Sequence, residues 1–267
     1  MATAAFDQQP RSFSIGNALS LGIGTVTSNP GVALGIAFLL SALPSVIVGL
    51  ASQALNMPAL MARQPSAIVL IGLASGIIMI AFAMITVGAL VRATIAHSEG
   101  RKATLGESLG AGMRVILPVF ALSLIVGILS MLGMVFFIVP GVMLYVMWSV
   151  ATPALVAERT GIFAALGRSR ALTNGARWQV FAILLLLLIG MWVVSAVIAA
   201  ITFTSAGGFA GMMAQARNGG SVPVMIINVI VNTVVSAVWS CVQAATYIEL
   251  RRSKDGPDSA ELADIFS

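Results

Sequence analysis

The sequence predicts an all-α polytopic membrane protein with six transmembrane helices arranged as three hairpins. Composition is the first reason: the 267-residue chain is 59% hydrophobic and 9% charged, with a mean hydropathy of +1.03. Soluble domains carry about 25% charged residues, so a soluble chain of this length could not cover its surface with so few. The apolar residues also fall into six long runs, and the charged residues lie between those runs.

Each run is long enough to cross a bilayer, whose hydrocarbon core of about 30 Å needs about 20 apolar helical residues. Helices are expected because the runs lack the alternation of a barrel, and open strands would leave backbone groups unpaired in lipid. The whole chain, 1–267, then forms a single membrane domain. The predicted spans are approximately 31–55, 67–91, 115–138, 141–157, 179–204 and 222–248.

The fourth run is the shortest, at roughly 25 Å in helical form. Either the Pro140–Gly141 turn before it lies below the outer membrane surface, or its helix extends past Glu158. Pro153 lies inside this run and is expected to kink the helix, because proline removes a backbone donor and clashes one turn back.

Charge placement predicts the orientation. Twelve of the fourteen basic residues precede the first span, join the second to the third or the fourth to the fifth, or follow the sixth. Only Arg63 and Arg217 lie on the other side. The positive-inside rule therefore places both termini in the cytoplasm, with 1–30 as an interfacial segment and 249–267 as a tail. The N-terminus lacks the pattern of a signal peptide, so the first span is expected to direct its own insertion.

Three segments before the odd-numbered spans resemble one another. They are "SIGNALSLGIG" from Ser14, "TLGESLGAGMR" from Thr104 and "ALGRSRALTNGAR" from Ala165. Each predicts a cytoplasmic amphipathic helix in the membrane interface before a two-span hairpin, so the chain reads as three repeated units. The alternative is that any helix before a span has this pattern.

The third of these segments carries Arg168, Arg170 and Arg177 and no acid. On a helical wheel the arginines border an apolar strip rather than forming one cluster. This arrangement is typical of a helix in the headgroup plane whose basic side chains reach phosphates. The three arginines are therefore candidate lipid-headgroup contacts.

The stretch 139–181 resembles the YciC-like family of bacterial inner-membrane proteins, and the related membrane domain fused to some glycerophosphodiester phosphodiesterases. The resemblance rests on Pro140–Gly141, Pro153-Ala154-Leu155, Glu158, Gly161, the frame Ala165, Leu166, Arg168, Ser169, Leu172, Thr173 and Gly175, Trp178, and the closing "TYIELRR" at 246–252. It implies a six-span fold in the bacterial inner (plasma) membrane and no reaction. The chain has no residues left for the soluble catalytic barrel of the fused enzymes, so their activity is not carried over.

Two acids end spans at the cytoplasmic boundary and are candidate ion-pair sites. Glu158 could meet Arg168, Arg170 or Arg177, and Glu249 could meet Arg251 or a loop arginine. One interpretation is that these acids form a substrate or proton site, because placing an acid within the membrane costs free energy. The alternative is a boundary acid in water.

The sixth span carries an arc of polar residues that should point away from lipid. Such an arc either lines a cavity or packs by hydrogen bonds between helices. The candidate cavity residues are Asn228, Asn232, Ser236, Gln243 and Tyr247. The GxxxG motifs "GVALG" (31–35) and "GLASG" (72–76) are expected to allow close helix approach.

No catalytic, cofactor or metal site is predicted. The chain has one cysteine, Cys241, and one histidine, His97, and lacks a P-loop, an HExxH motif or a nucleophile elbow. The basic loops are too short and too close to the membrane to read bases in a groove, so nucleic acid is not an expected partner. Expected partners are the phospholipid membrane and, as a further possibility, other membrane proteins or a second copy of the chain.

The sequence thus favours a non-enzymatic multi-pass inner-membrane protein of envelope or lipid homeostasis, acting as a lipid-contact protein or scaffold. The alternative is a small-molecule or lipid transporter that uses the polar face of the sixth span. A third reading is an intramembrane lipid enzyme with acids and arginines at headgroup level.

Overall fold

A computed structural model of the protein describes residues 13–55, 60, 63–217 and 222–256. Every regular element in this part of the chain is a helix. Six stretches are long and apolar enough to cross a membrane: Pro30–Ala51, Ser66–Ser98, Ile116–Phe136, Ile138–Glu158, Arg177–Ser205 and Pro223–Asp255. The predicted membrane class and the six spans are confirmed at this level. The remaining parts of the predicted N-terminal segment and C-terminal tail, 1–12 and 257–267, lie outside the described residues.

Short helices lie before the first span and between later spans. Three of them, Ile15–Ser28, Leu105–Arg114 and Ile162–Thr173, precede the first, third and fifth spans, and Phe209–Arg217 follows the fifth. The Ser14 and Thr104 side chains cap the first two by accepting the backbone N–H of the residue three positions on, at 3.4 and 3.2 Å. The first two similar segments thus share the same helix start, whereas the third helix begins at Ile162, before its similar segment, and has no side-chain cap.

The helices that form the second and sixth spans are longer than predicted. They run over Pro65–Ser98 and Val222–Asp255, which is 34 residues each, or about 50 Å. Hydropathy predicted only the apolar part of each helix. The helices continue beyond it and end near Gly100 and Gly256, where the backbone φ is positive. Residues 249–255, predicted to belong to a tail, are therefore the last two turns of the sixth helix.

The fourth span also differs from its prediction. It begins at Ile138, and the chain turns at Phe137, whose backbone is extended, so the predicted Pro140–Gly141 turn is wrong. Pro140 is instead accommodated in the first helical turn, where its missing N–H has no partner to lose. The helix is interrupted at Ser149 and Val150, one turn before Pro153, as expected for a proline.

A similar irregularity lies in the first span. Helix Pro30–Ala37 continues through a π-helical segment, Phe38–Ala42, into helix Leu43–Ala54. Pro44 follows this segment and cannot donate to the carbonyl one turn back. We attribute the π-helical segment to this missing donor.

The buried core lies towards one end of the bundle. It is built from the helix Ile15–Ser28, called the first helix below, the helix Ile162–Thr173, the last turns of the second, fourth and sixth spans, and the starts of the first, third and fifth spans. This end also carries eleven basic residues: Arg92, Arg101, Lys102, Arg114, Arg159, Arg168, Arg170, Arg177, Arg251, Arg252 and Lys254. We call it the charged end. Away from it, the spans expose many large apolar side chains, as a lipid-facing surface requires.

The first helix packs along the final half of the sixth span. The amide of Asn17 donates to Glu249 at 3.2 Å, and Gly22 faces Val242 so closely that a Cβ would lie 2.7 Å from its Cα. These pairs run in opposite chain directions, so the two helices are antiparallel. The side chain of Ser28 then meets His97 of the second span at 3.1 Å.

The close helix approach predicted at the GxxxG motifs is not found. A Cβ on Gly31, Gly72 or Gly76 would meet nothing within 4 Å, and one on Gly35 would meet only the side chain of Leu105, at an ordinary contact distance of 3.6 Å. Close approach occurs instead where Gly88 faces Gly112, whose Cα would lie 3.0 Å from the added Cβ. A GxxxG pattern identifies a face of small residues but not the helix that packs on it.

Candidate functional site

Four polar side chains from three helices meet at the charged end. Glu158 ends the fourth span and accepts from the Nε of Arg168 at 2.7 Å and from the hydroxyl of Tyr247 at 2.9 Å. Arg168 also bonds both carboxylate oxygens of Asp255. This network ties the short helix Ile162–Thr173 to the ends of the fourth and sixth spans.

Local backbone geometry explains how residues ten positions apart form this pair. Helix Ala151–Glu158 ends at Arg159, which adopts the left-handed conformation, and the chain reverses before a new helix starts at Ile162. Two turns along that helix, Arg168 lies beside the helix end that Glu158 occupies. The bond to Asp255, opposed by partial burial and supported by the bond to Glu158, raises the pKa of Arg168 above its ordinary value. The guanidinium is therefore a permanent cation in this network.

The structure brings only part of the predicted ion-pair set together. Glu158 pairs with Arg168, but no described carboxylate lies within 4 Å of Arg170 or Arg177. Glu249 accepts from the amide of Asn17. Arg251 also lines a nearby cavity.

The polar arc of the sixth span does not surround one site. Asn228 bonds its own helix at Val224, and Ser236 bonds its own helix at Thr233. Asn232 accepts from Ser41 of the first span at 3.3 Å, which is a packing contact. Of the five predicted cavity residues, only Tyr247 lines the large cavity of the molecule: Asn228, Asn232, Ser236 and Gln243 do not.

That cavity has a volume of about 1070 Å³ and lies at the charged end. Its walls come from the ends of the second, fourth and sixth spans, the helix Leu105–Arg114 and the start of the third span. Five arginines line it: Arg92, Arg114, Arg159, Arg251 and Arg252. With two glutamates, Glu99 and Glu107, the lining has a net charge of +3.

The two glutamates are already paired. Glu107 accepts from Arg92 at 2.9 Å and lies 3.9 Å from Arg101, and Glu99 accepts from Arg101 at 2.9 Å. Among the described residues, no carboxylate lies within 4 Å of Arg114 or Arg159. The cavity therefore holds guanidinium charge that its own acids do not neutralise.

Two features of the fourth-span exit are unusual. Arg159 has φ of 51°, the only positive φ at a non-glycine residue in the described chain, at a helix end where glycine is the usual choice. Such a conformation costs about 1–2 kcal/mol for a residue with a Cβ. The hydroxyl of Thr160 is buried and has no hydrogen-bond partner in the protein. Both residues line the cavity.

Sequence reasoning missed this cavity because its arginines come from two connections between spans and from the end of the sixth helix. In the sequence, Arg92, Arg114, Arg159 and Arg252 contribute to the predicted orientation, and Arg252 also belongs to the closing "TYIELRR". The available signal was that the even-numbered spans all end at the same face, so the basic residues that follow them must converge. A single-segment search for motifs cannot detect such a site.

The chemistry of the site is that of anion binding. Guanidinium groups present paired N–H donors that fit the oxygens of phosphate or carboxylate. Within the described residues, no three or more His, Cys, Asp or Glu side chains come together in an arrangement that could hold a metal ion. Comparison with protein-family models, curated proteins and solved structures gives no match to this chain.

Proposed function

We propose that the protein is a non-enzymatic multi-pass protein of a bacterial inner membrane that contacts anionic phospholipid at the cytoplasmic face, as part of envelope or lipid homeostasis. The observation that carries this proposal is the pairing of an apolar, lipid-facing surface with eleven basic residues at one end of the bundle. The positive-inside rule favours a cytoplasmic position for that end, and hence for both termini.

The proposed membrane arrangement is three hairpins, each preceded by an interfacial helix. Large aromatic side chains at the third of these helices and at the start of the fifth span support it: Phe163 is 79% exposed, and Trp178, which follows Arg177 in the chain, is 83% exposed. Aromatic rings next to basic side chains are typical of the headgroup region. The resemblance of 139–181 to the YciC-like family is consistent with this location.

The transporter alternative receives less support. It relied on the polar face of the sixth span, where Asn228 and Ser236 bond within their own helix and Asn232 meets Ser41. These contacts account for the polar groups by packing. The proposal of a non-enzymatic role is supported by the pairing of Glu99, Glu107, Glu158 and Asp255 with arginines and by the bond of Glu249 to Asn17.

Retention of lipid tests the proposal. The full chain, purified from bacterial membranes in an uncharged detergent, is expected to carry anionic phospholipid in native mass spectrometry. Changing Arg170 and Arg177 to glutamine should reduce the retained fraction about fivefold for each arginine, because a basic residue near an anionic surface contributes about 1 kcal/mol. Arg63→Gln, at the opposite end of the bundle, is the control and should retain lipid as the unaltered chain does. No retained lipid, or equal loss in all variants, would overturn the proposal.

A further inference from the structure

We propose that the cavity at the charged end is a specific binding site for a phosphoryl group carried on a partly apolar molecule. This site is separate from Arg170 and Arg177, which do not line the cavity. The inference requires the fold but not the lipid-homeostasis role.

Charge is the first reason. The lining has five arginines and two glutamates, and both glutamates already pair with Arg92 or Arg101. Arg114 and Arg159 have no carboxylate partner among the described residues, yet they face the same space. Arginine is the side chain best suited to bind phosphate oxygens through paired N–H donors.

The strained position of Arg159 is the second reason. Its left-handed backbone would accept glycine without strain, so an arginine there carries a conformational cost that a glycine would not. The next residue, Thr160, has a buried hydroxyl without a partner. A phosphate oxygen in the cavity would accept from the Arg159 guanidinium, and the covered Thr160 hydroxyl would donate to it after turning towards the cavity.

Size and lining define the rest of the ligand. A cavity of about 1070 Å³ is far larger than an inorganic phosphate and lies at the upper end of small-molecule sites. Its lining also includes apolar side chains, among them Leu155, Val156 and Ile248. The ligand class is therefore an organic phosphate with an apolar portion, from one of two sources: a lipid headgroup or a water-soluble phosphate ester.

The binding test uses two probes and the full chain in an uncharged detergent. Isothermal titration calorimetry would measure binding of pyrophosphate and of dioctanoyl phosphatidic acid, with dioctanoyl glycerol as the phosphate-free control. We expect dioctanoyl phosphatidic acid to bind at one saturable site and dioctanoyl glycerol not to bind. Comparable binding of pyrophosphate would identify a soluble phosphate ester as the source, and its absence would identify a lipid headgroup.

Arg159→Gly is the decisive variant because it removes a cavity arginine and also relieves the positive φ. We expect its binding of phosphatidic acid to be about tenfold weaker, while its Tm is unchanged or higher. Arg114→Gln, at an exposed position, should weaken binding to a similar degree. Arg63→Gln, an exposed arginine at the opposite end and outside the cavity, is the control and should bind as the unaltered chain does.

The proposal is overturned if neither probe binds the unaltered chain, or if Arg159→Gly and Arg114→Gln bind as tightly as it does. These outcomes are separate from failure of the lipid-contact function. Loss of retained membrane lipid in the Arg170 and Arg177 variants, with unchanged titrations of the Arg159 variant, would support lipid contact and contradict the cavity site. Unchanged lipid retention in the Arg170 and Arg177 variants, with weaker binding of phosphatidic acid by the Arg159 variant, would support the cavity site alone.

Discussion

Replacing Gly22 with alanine is expected to destabilise the folded chain by about 2 kcal/mol. The added Cβ would lie 2.7 Å from the Cα of Val242 and 3.0 Å from its backbone nitrogen, so the first helix must move away from the sixth span. Overpacking of this kind costs about 1–3 kcal/mol, and the better helix propensity of alanine returns up to about 1 kcal/mol. Thermal unfolding in detergent would measure the change as a lower Tm.

Gly16→Ala is the control for this prediction, because it places the same methyl group on the same helix. Its Cβ would meet only the hydroxyl of Ser14, at 3.8 Å, so stability should stay equal or rise slightly. Equal Tm values for the two variants would show that the first helix does not pack on the sixth span as described.

Removing the carboxylate of Glu158 has the second large expected effect. Glu158→Ala removes the acceptor for both Arg168 and Tyr247 and leaves the buried tyrosine hydroxyl without this partner. A hydrogen bond to a charged group contributes about 1.5–3 kcal/mol, and Glu158 and Arg168 remain 23% and 28% exposed. We therefore expect a loss of about 2 kcal/mol, measured by the same thermal unfolding.

Glu99→Ala is the matched control, since it removes a carboxylate from another arginine pair at the same end. The pair of Glu99 and Arg101 is 47% exposed on both sides, and exposed pairs contribute about 0–1 kcal/mol. Glu158→Gln should fall between the two, because its amide oxygen still accepts from Tyr247. A loss for Glu99→Ala as large as for Glu158→Ala would contradict the assigned role of the network.

Apolar composition and run length were sufficient to predict the membrane class and the number of spans. The ends of the helices were harder to place, because hydropathy falls at Arg92 and Glu249 although nothing there breaks a helix. Only the positive φ of Gly100 and Gly256 stops these helices, and sequence alone does not distinguish such glycines from the many within spans. The polar last turns were consequently read as loop and tail.

The candidate site was predictable only in part. The pair of Glu158 and Arg168 is local in sequence, so it could be proposed from a single stretch. Asp255 and the cavity arginines depend on which span ends meet in space, which no single segment encodes. The GxxxG motifs failed for the same reason, since small residues permit a close contact but do not select a partner.

In the proposed orientation the charged end faces the cytoplasm and its anionic lipid, and cysteine labelling is the direct test of that orientation. The chain has one cysteine, Cys241, which is buried and should not react with a membrane-impermeant maleimide. Single cysteines would be introduced at exposed positions at the two ends. Those for the charged end are Ser20, Ala171 and Lys254, and those for the opposite end are Gln64, Phe137 and Ala214.

In intact cells stripped of their outer membrane, we expect the maleimide to label the variants at Gln64, Phe137 and Ala214. The variants at Ser20, Ala171 and Lys254 should react only after the inner membrane is opened. Labelling of any of these three in sealed cells would contradict the proposed orientation and, with it, contact between the charged end and cytoplasmic anionic lipid.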